Sequence, residues 1–369
     1  MKMTITRAAL MNSLQNIVGV VEKKQTMPIL ANVLISVTEH SLTMTATDSE
    51  IELICTIPLE HPAQSGTFTV SARKLFDICR ALPDDAVLQF SLEENHLLLR
   101  SGKSRFQLVT LPVSDFPNIE HPVFTTEFSA HQHKLKKLFS HVHFAMGQQD
   151  VRHYLNGALF NIENGSIHCV ATDGHRMAFS TIDNITMADD LAHKVILPRK
   201  SVMELIRLLD SNTEKEIKIC IGENHFRLST PEFIFTSRLI NAPYPDYQKL
   251  IPKKIDSTIM ADRSALKEAF SRASILSNEK FRGIRLQLEH DLMRIVANNP
   301  EQEEAEELVH LSYQGNTMEI AFNVTYLLDV ISALDSEHIC WSFSDPYAGV
   351  LIEPKEKDGR RYVVMPMRL

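Results

Sequence analysis

The chain has 369 residues, 44% hydrophobic and 23% charged, with a formal net charge of −8. That length favours two or three domains, the apolar share supplies several packed cores, and no apolar run is long enough to span a membrane. The acidic balance weighs against a nucleic-acid partner unless the basic residues gather on one face, and the five cysteines (Cys55, Cys79, Cys169, Cys220 and Cys340) are scattered through mostly apolar runs, as buried thiols of a reduced cytosolic protein are, with no disulfide or zinc framework.

Met1-Lys2-Met3-Thr4-Ile5-Thr6 reads as a strand and lacks the apolar core of a signal peptide. An amphipathic helix follows from Arg7 to about Val21, with Leu10, Leu14 and Ile17 at helical spacing. Paired strands come next, Ile29 to Val37 and Ser41 to Thr47, around the turn Glu39-His40. Arg73-Lys74 opens a second amphipathic segment ending at Leu82, and Val87 to Leu92 and His96 to Ser101 are again strand-like.

The grammar then repeats. A helix from His133 to about Phe144 carries Leu135, Leu138 and Val142. The strands Leu155 to Ile162 and Ser166 to Thr172 flank Glu163-Asn164-Gly165, and Arg199-Lys200 opens a helix ending at Leu208. In the last third a helix from Arg263 to Leu276 carries Leu266, Phe270 and Ala273. The strands Ile284 to Leu288 and Leu292 to Ala297 flank Glu289-His290-Asp291, and Asn323-Val324 opens a helix ending at Leu334. Thr45-Ala46-Thr47-Asp48, Val170-Ala171-Thr172-Asp173 and Val296-Ala297-Asn298-Asn299 close corresponding strands at a period of about 125 residues. The expected architecture is α+β, antiparallel sheets with two helices per unit, three units in a row. With boundaries near Pro122 and Pro252, the units are 1–122, 123–252 and 253–369. Three like units suggest a molecule whose work is a shape.

Enzyme signatures are lacking. There is no P-loop, no GxGxxG after a strand, no HExxH, no CxxC pair and no GxSxG elbow. His131-Gln132-His133 has no Cys or carboxylate at metal spacing and reads as a solvated helix start. Asp173-Gly174-His175-Arg176 could serve a hydrolase, but no nucleophile partner is identifiable, and a tight turn with a polar rim is the simpler reading. The basic residues are better organised. Arg7, Lys134, Lys136, Lys137, Arg263, Lys267 and Arg272 on the first helices recur with Arg73, Lys74, Arg80, Arg199, Lys200 and Arg207 on the second. Side by side, such helices would form a basic lining that holds a duplex through its phosphates without reading sequence.

The end units carry opposite charge runs. The first has Arg100, Lys103 and Arg105 beside Phe106 and Leu108. The third has Glu301, Glu303, Glu304, Glu306 and Glu307, with Ile275-Leu276 in the same unit. Opposite runs on terminal units suit a head-to-tail contact between chains, and such a contact can close a ring. The chain ends on an apolar, methionine-rich segment, Tyr362-Val363-Val364-Met365-Pro366-Met367-Arg368-Leu369, suited to a last strand or to the edge of a peptide groove.

Several long segments match one family in order. They are Asp150-Val151-Arg152 through Tyr154-Leu155-Asn156-Gly157, Ala171-Thr172-Asp173-Gly174-His175-Arg176, Ile275-Leu276-Ser277-Asn278-Glu279-Lys280-Phe281-Arg282-Gly283, Asn299-Pro300-Glu301 through Glu307, and Met365-Pro366-Met367-Arg368-Leu369. From end to end the chain resembles the bacterial DNA polymerase III beta subunit, the sliding clamps. The resemblance implies a head-to-tail homodimeric ring of six similar units, with helices lining the pore and sheets outside. It implies a cytoplasmic processivity factor with no catalysis, cofactor or metal. Duplex DNA is encircled, the replicative DNA polymerase is tethered, a clamp loader opens the ring, and other proteins with a clamp-binding motif share the partner site.

Carried over residue by residue, the family's DNA contacts fall on Lys24, Arg73, Arg80, Gln148, Gln149, Arg152, His153, Tyr154, Lys200 and Arg207. The partner cleft, between the second and third units, falls on Leu155, Thr172, Gly174, His175, Arg176, Met177, Pro245, Leu250, Tyr347, Val363, Val364, Met365, Pro366, Met367 and Arg368. The dimer interface is expected at Arg100, Lys103, Arg105, Phe106, Leu108, Ile275, Leu276, Glu301, Glu303 and Glu304.

Overall fold

The computed structural model describes residues 1–21, 27–117, 122–183, 185, 192–252, 254–345 and 347–368. Among them are six α-helices: α1 (Arg7–Val20), α2 (Ala72–Ala81), α3 (Gln132–Ser140), α4 (Arg199–Leu208), α5 (Arg263–Ile275) and α6 (Val324–Ala333). Each helix starts where a strand stops. In the first third, Lys2–Thr6 and α1 precede the strands Asn32–Val37, Ser41–Thr47 and Ile51–Pro58. Gly66–Ser71 and α2 then precede Val87–Glu93, His96–Ser101 and Ser104–Val109. Each third is therefore itself a doubled strand-helix-strands unit, a half-period the sequence reading did not resolve.

The chemistry of the junction recurs. The last strand residue caps the helix with its side chain: Thr6 accepts from the Ala9 N–H, Ser71 from Lys74, Asp262 from Ala265 and Asn323 from Thr325. Each cap satisfies a backbone donor that the first helical turn leaves orphaned. The helices bury the apolar stripes read from spacing, Leu10, Leu14 and Ile17 in α1 and Leu266, Phe270 and Ala273 in α5.

The helix expected to reach Phe144 stops at Ser140. The carbonyls of the following residues are taken by arginine side chains: Arg199 donates to His143 O (3.2 Å) and Met146 O (3.1 Å), and Arg176 to Phe144 O (2.7 Å). With those acceptors satisfied, the chain folds into a short 3-10 turn, His143–Ala145. The strand expected from Leu155 begins at Gly157, and the one expected from Ile29 at Asn32; a 3-10 turn precedes each.

The elements gather into two compact groups. One comprises Met1–His131 with Glu214–Leu239. Lys2–Thr6, Val87–Glu93, His96–Ser101 and Ser104–Val109 form a four-stranded sheet there. An eight-stranded sheet joins strands from two thirds of the chain, where Ile51–Pro58 pairs antiparallel with Phe233–Arg238 and Leu53 stands opposite Phe235. The other group comprises Gln132–Thr213 with Ile240–Leu369. Its nine-stranded sheet joins Arg176–Ile182 to Arg361–Val364, Met177 opposite Val363. Its four-stranded sheet runs Glu304–His310, Leu292–Asn298, Gly283–Glu289, Met318–Asn323. Cys55, Cys79, Cys169 and Cys220 are buried and Cys340 is half-buried, none of them in a disulfide among the described residues; burial pushes the Cys79 thiol up to about 11.

Candidate partner groove and nucleic-acid surface

The Thr-Asp turns share one construction. In the second group Thr172 Oγ1 donates to Arg176 O (2.6 Å) and accepts from the Gly174 N–H (3.1 Å). Asp173 Oδ1 accepts from the N–H groups of His175 (2.9 Å) and Arg176 (3.0 Å). Thr47 and Asp48 make the same bonds to residues 49–51 in the first third. The turn needs a left-handed residue, supplied by Ser49 (φ 79°) and Gly174 (φ 89°). At Gly174 a Cβ would also stand 3.1 Å from the Arg152 guanidinium. Asp173 is thus occupied by its own turn, and the His175 ring stacks on Tyr326 at 6.1 Å rather than facing a carboxylate. The hydrolase alternative for this turn is set aside.

Arg176 fastens the turn to α6. Its side chain, 10% exposed, binds Asp173 Oδ2 (3.1 Å), Asp329 of α6 and the Phe144 carbonyl. Its guanidinium lies 4.5 Å from the Tyr326 ring centroid and 5.3 Å from that of Phe144. Arg176, expected as a cleft contact, is a half-buried side chain that holds one rim in place.

Below the turn lies an apolar layer of buried side chains. Leu159, Val170, Met177, Phe179, Ile196, Leu351 and Val363 cluster on one sheet face, and Tyr154, Ile240, Tyr244, Tyr247 and Ile251 pack against them. Tyr244 donates to Val170 O (3.3 Å), which holds the segment after Leu239 over the sheet. Met365 N–H bonds His175 O (2.9 Å) and Met367 N–H bonds Ala321 O (2.7 Å), so the last described residues tie the turn to the strand Met318–Asn323. Of the expected cleft residues, Leu155, Thr172, Met177, Val363 and Val364 are buried framework. Gly174, His175, Pro245 and Arg368 are exposed, Pro366 and Met367 half-buried. Leu250, Tyr347 and Met365 are 40%, 81% and 37% exposed. Phe179, Tyr244, Tyr247 and Tyr326 were missed. The Pro-interrupted run Pro243-Tyr244-Pro245-Asp246-Tyr247 is the signal that could have found two of them.

The basic residues divide into two kinds. Arg7, at the start of α1, donates to the carbonyls of Cys79 (2.6 Å) and Arg80 (3.4 Å) at the end of α2. Lys136 in α3 does the same for Leu209 after α4 (2.7 Å), and Arg263, at the start of α5, for Ser336 after α6 (3.0 Å). Three cations expected in a DNA-facing lining therefore cap the negative ends of neighbouring helices, and Arg199 is likewise committed to backbone carbonyls. Arg73, Lys74, Arg80, Lys134, Lys137 and Arg207 are exposed, and Lys200 is half-buried. Arg80 pairs with Asp77 and Arg207 with Glu204 on their own helices.

Gln148, Gln149, Arg152 and His153 are exposed. Arg152 makes a two-pronged bond to Asp150 (3.0 and 2.9 Å), which holds that carboxyl down at about 2. Tyr154, expected against DNA, packs on the groove's apolar floor instead. Lys24 lies outside the described residues. His131 and His133, expected in solvent, bond the carbonyls of Glu214 and Thr213 through their rings. Among the described residues no group of three His, Cys, Asp or Glu is placed to hold a metal ion.

Of the expected interface residues, Arg105, Phe106 and Leu108 lie on Ser104–Val109 and Glu304 opens Glu304–His310, both outermost strands of four-stranded sheets, whereas Arg100 is on His96–Ser101, Ile275 ends α5, and Lys103, Leu276, Glu301 and Glu303 lie outside these elements. Arg100, Lys103 and Arg105 are exposed and Phe106 is half-buried. Leu108 is only 9% exposed because alternation turns it inward, and the outward apolar residue is Val109. In the third unit Ile275, at the end of α5, is 75% exposed, Leu276 is half-buried, and Leu308, on Glu304–His310, is an exposed apolar residue outside the expected set. Glu301, Glu303 and Glu304 are exposed, whereas Glu306 pairs with Arg294 and Glu307 with Arg272.

Three like α+β units, with exposed cations on helices and an apolar groove beside a latched turn, define a clamp-type scaffold rather than an enzyme. Family models of the DNA polymerase III beta subunit match throughout: the N-terminal domain over residues 1–120, the central over 129–246 and the C-terminal over 248–368. The beta sliding clamps of Pseudomonas aeruginosa and Escherichia coli K12 are 48% and 45% identical, with both chains covered in full. A crystal structure of the Pseudomonas aeruginosa clamp bound to griselimycin superposes with a TM-score of 0.96, 48% identity and full coverage of both chains. The chain belongs to the DNA polymerase III beta subunit family, the bacterial sliding clamps.

Proposed function

We infer that this chain is a DNA sliding clamp of replication, a non-catalytic processivity factor that encircles duplex DNA without reading sequence and tethers the replicative polymerase. The observation that carries the partner reading is the groove. An apolar layer buried on one sheet face is flanked by the Arg176-latched turn, the aromatic segment after Leu239 and the methionine-rich tail. The exposed residues of these flanks, His175, Pro245, Leu250, Met365 and Arg368, are the ones a partner can reach. Such a surface takes a short extended peptide with apolar anchors, from polymerase, clamp loader or other clamp-binding proteins.

For DNA we propose Lys24, Arg73, Arg80, Gln148, Gln149, Arg152, His153, Lys200 and Arg207. These are weak, sequence-independent phosphate contacts, which leave no deep minimum along the duplex and suit sliding. The repeat divides the chain near residues 122 and 252. For assembly we propose a head-to-tail homodimer in which the strand Ser104–Val109 of one protomer meets Glu304–His310 of its partner. Cations and carboxylates would set the orientation around Phe106, Val109, Ile275 and Leu308. Among the described residues no helix is long and apolar enough to cross a membrane, and a replication clamp works in the cytoplasm. The test is topological: the protein, loaded by its clamp loader, should stay on nicked circular DNA and run off after linearisation. Equal retention on both forms would overturn the reading. Replacing Arg73, Arg80, Lys200 and Arg207 with Ala should weaken duplex binding alike on all sequences and flatten the slope of log affinity against log salt.

A further inference from the structure

The sheet face that floors the groove continues beyond Phe179 and changes character. A cavity of about 430 Å3 opens there, with Phe179, Tyr247, Ile251 and Pro252 on its apolar side and Glu163, His168, Thr181, Asp183 and Arg361 on its polar side. The floor is shared, since Phe179, Tyr247 and Ile251 also belong to the groove cluster. His168 stacks on Phe179 at 5.5 Å and the Arg361 guanidinium lies 5.6 Å from the same ring, so this phenyl group is the divide between the two compartments.

The polar half holds acceptors with few partners among the described residues. His168 stands directly opposite Asn161 in the ladder. His168 Nδ1 and Asn161 Oδ1 are both buried and carry no hydrogen bond, a cost that buried polar atoms rarely bear without a partner. Burial, opposed by Asp183 and Glu163, keeps the imidazole toward its neutral form, which leaves one ring nitrogen as an acceptor. Among the described residues Asp183 takes only the hydroxyls of Ser166 (2.8 Å) and Thr181 (3.3 Å), and Glu163 only the Asn161 amide at 3.4 Å. Neither carboxylate has a cationic partner among the described residues. Arg361, the cation at the rim, is held 3.7 Å from Glu353.

We propose that this cavity is an extension of the partner groove that receives a lysine or arginine side chain of the bound peptide, next to its apolar anchors. The methylene stem would lie along Phe179 and Tyr247, and the charged head would reach Glu163, Asp183 and the unpaired acceptors behind them. The inference rests on the partner groove proposed above and assigns it a preference for cationic side chains on one flank.

The test uses the full-length protein and fluorescein-labelled ten-residue peptides. A central pair of apolar residues, varied over Leu, Ile, Phe, Val and Met, is flanked by Ala, and the tightest binder becomes the parent. Lys is then placed at each flanking position in turn, and affinity is read by anisotropy. Lys at one or two positions on a single flank should tighten binding about three- to tenfold. That gain should vanish in the Glu163→Gln/Asp183→Asn variant, which should bind the Ala-flanked parent as the wild type does. A gain that survives in the variant, a gain spread over both flanks, or no gain overturns the proposal. The groove itself is checked separately: the parent should lose binding when Met365 to Leu369 are removed. Persistence of parent binding would sink the groove reading rather than the extension alone. A second variant, His168→Phe, removes the unpaired acceptor while keeping a ring on Phe179, and should lower the lysine gain without shifting parent affinity.

Discussion

Replacing Arg176 with Ala separates a latch from a contact. The guanidinium holds Asp173, Asp329 and the Phe144 carbonyl and lies against two aromatic rings. Removing one partner of a buried, hydrogen-bonded ion pair costs about 3–5 kcal/mol, most of it from groups left uncompensated. Two features put this site at the low end. Asp329 is 37% exposed and recovers solvation, and Asp173 keeps two backbone donors. The Phe144 carbonyl is orphaned, and lost ring contacts add about 1 kcal/mol. The sum is about 3–4 kcal/mol. Asp329→Ala should cost about 1 kcal/mol, with a coupling to Arg176 of about 1 kcal/mol in the double-mutant cycle. Because the turn forms a rim of the groove and its His175 carbonyl holds Met365, peptide affinity should fall about tenfold or more in Arg176→Ala. It should also fall in Asp329→Ala, although Asp329 sits on α6 and is not one of the proposed peptide contacts. Chemical unfolding and peptide anisotropy on the same samples decide it. If Arg176→Ala unfolds like the parent while peptide binding is lost, or the coupling is zero, Arg176 is a peptide contact and the latch is wrong.

Two further outcomes are expected. Ile275→Lys should yield a folded monomer by analytical ultracentrifugation, since a 75% exposed side chain contributes about 1.5–3 kcal/mol per interface when buried and no core of its own unit depends on it; a persisting dimer would place the interface elsewhere. Stability should fall in mild acid through His141, whose ring is held down to about 4 by burial first and the Arg360 charge second, against Asp335 and Asp358. The unfolded chain takes up this proton near 6.5, so stability is full above that pH and drains away as pH falls toward 4, by on the order of 3 kcal/mol. His141→Gln should flatten the dependence of unfolding free energy on pH over that window; unchanged slopes would exclude the histidine as its source.

What could be read from the chain was what depends on local order. Thr172-Asp173 and Thr47-Asp48 announce their turns because side chain and backbone bond within four residues, and the α1 stripe follows from spacing. What could not be read depends on residues far apart in sequence. Arg7 looks like a surface cation until Cys79 O and Arg80 O arrive beside it from α2. Arg176 looks like a binding residue until Asp329 meets it from α6. α3 was drawn too long because the carbonyls beyond it are taken by Arg176 and Arg199, 32 and 53–56 residues downstream. Leu108 was misjudged for a different reason. The pattern around it gives alternation but not phase, and one step of register exchanges Leu108 with Val109.

The strand Ile51–Pro58 lies against Phe233–Arg238, and Arg176–Ile182 against Arg361–Val364. One third of the chain is therefore not a unit whose sheets are closed by itself. A third cut out at residue 122 or 252 would carry a raw strand edge where a ladder had been, with unpaired N–H and C=O groups inviting another chain to complete it. The joints between neighbouring thirds thus supply the closure that each third lacks.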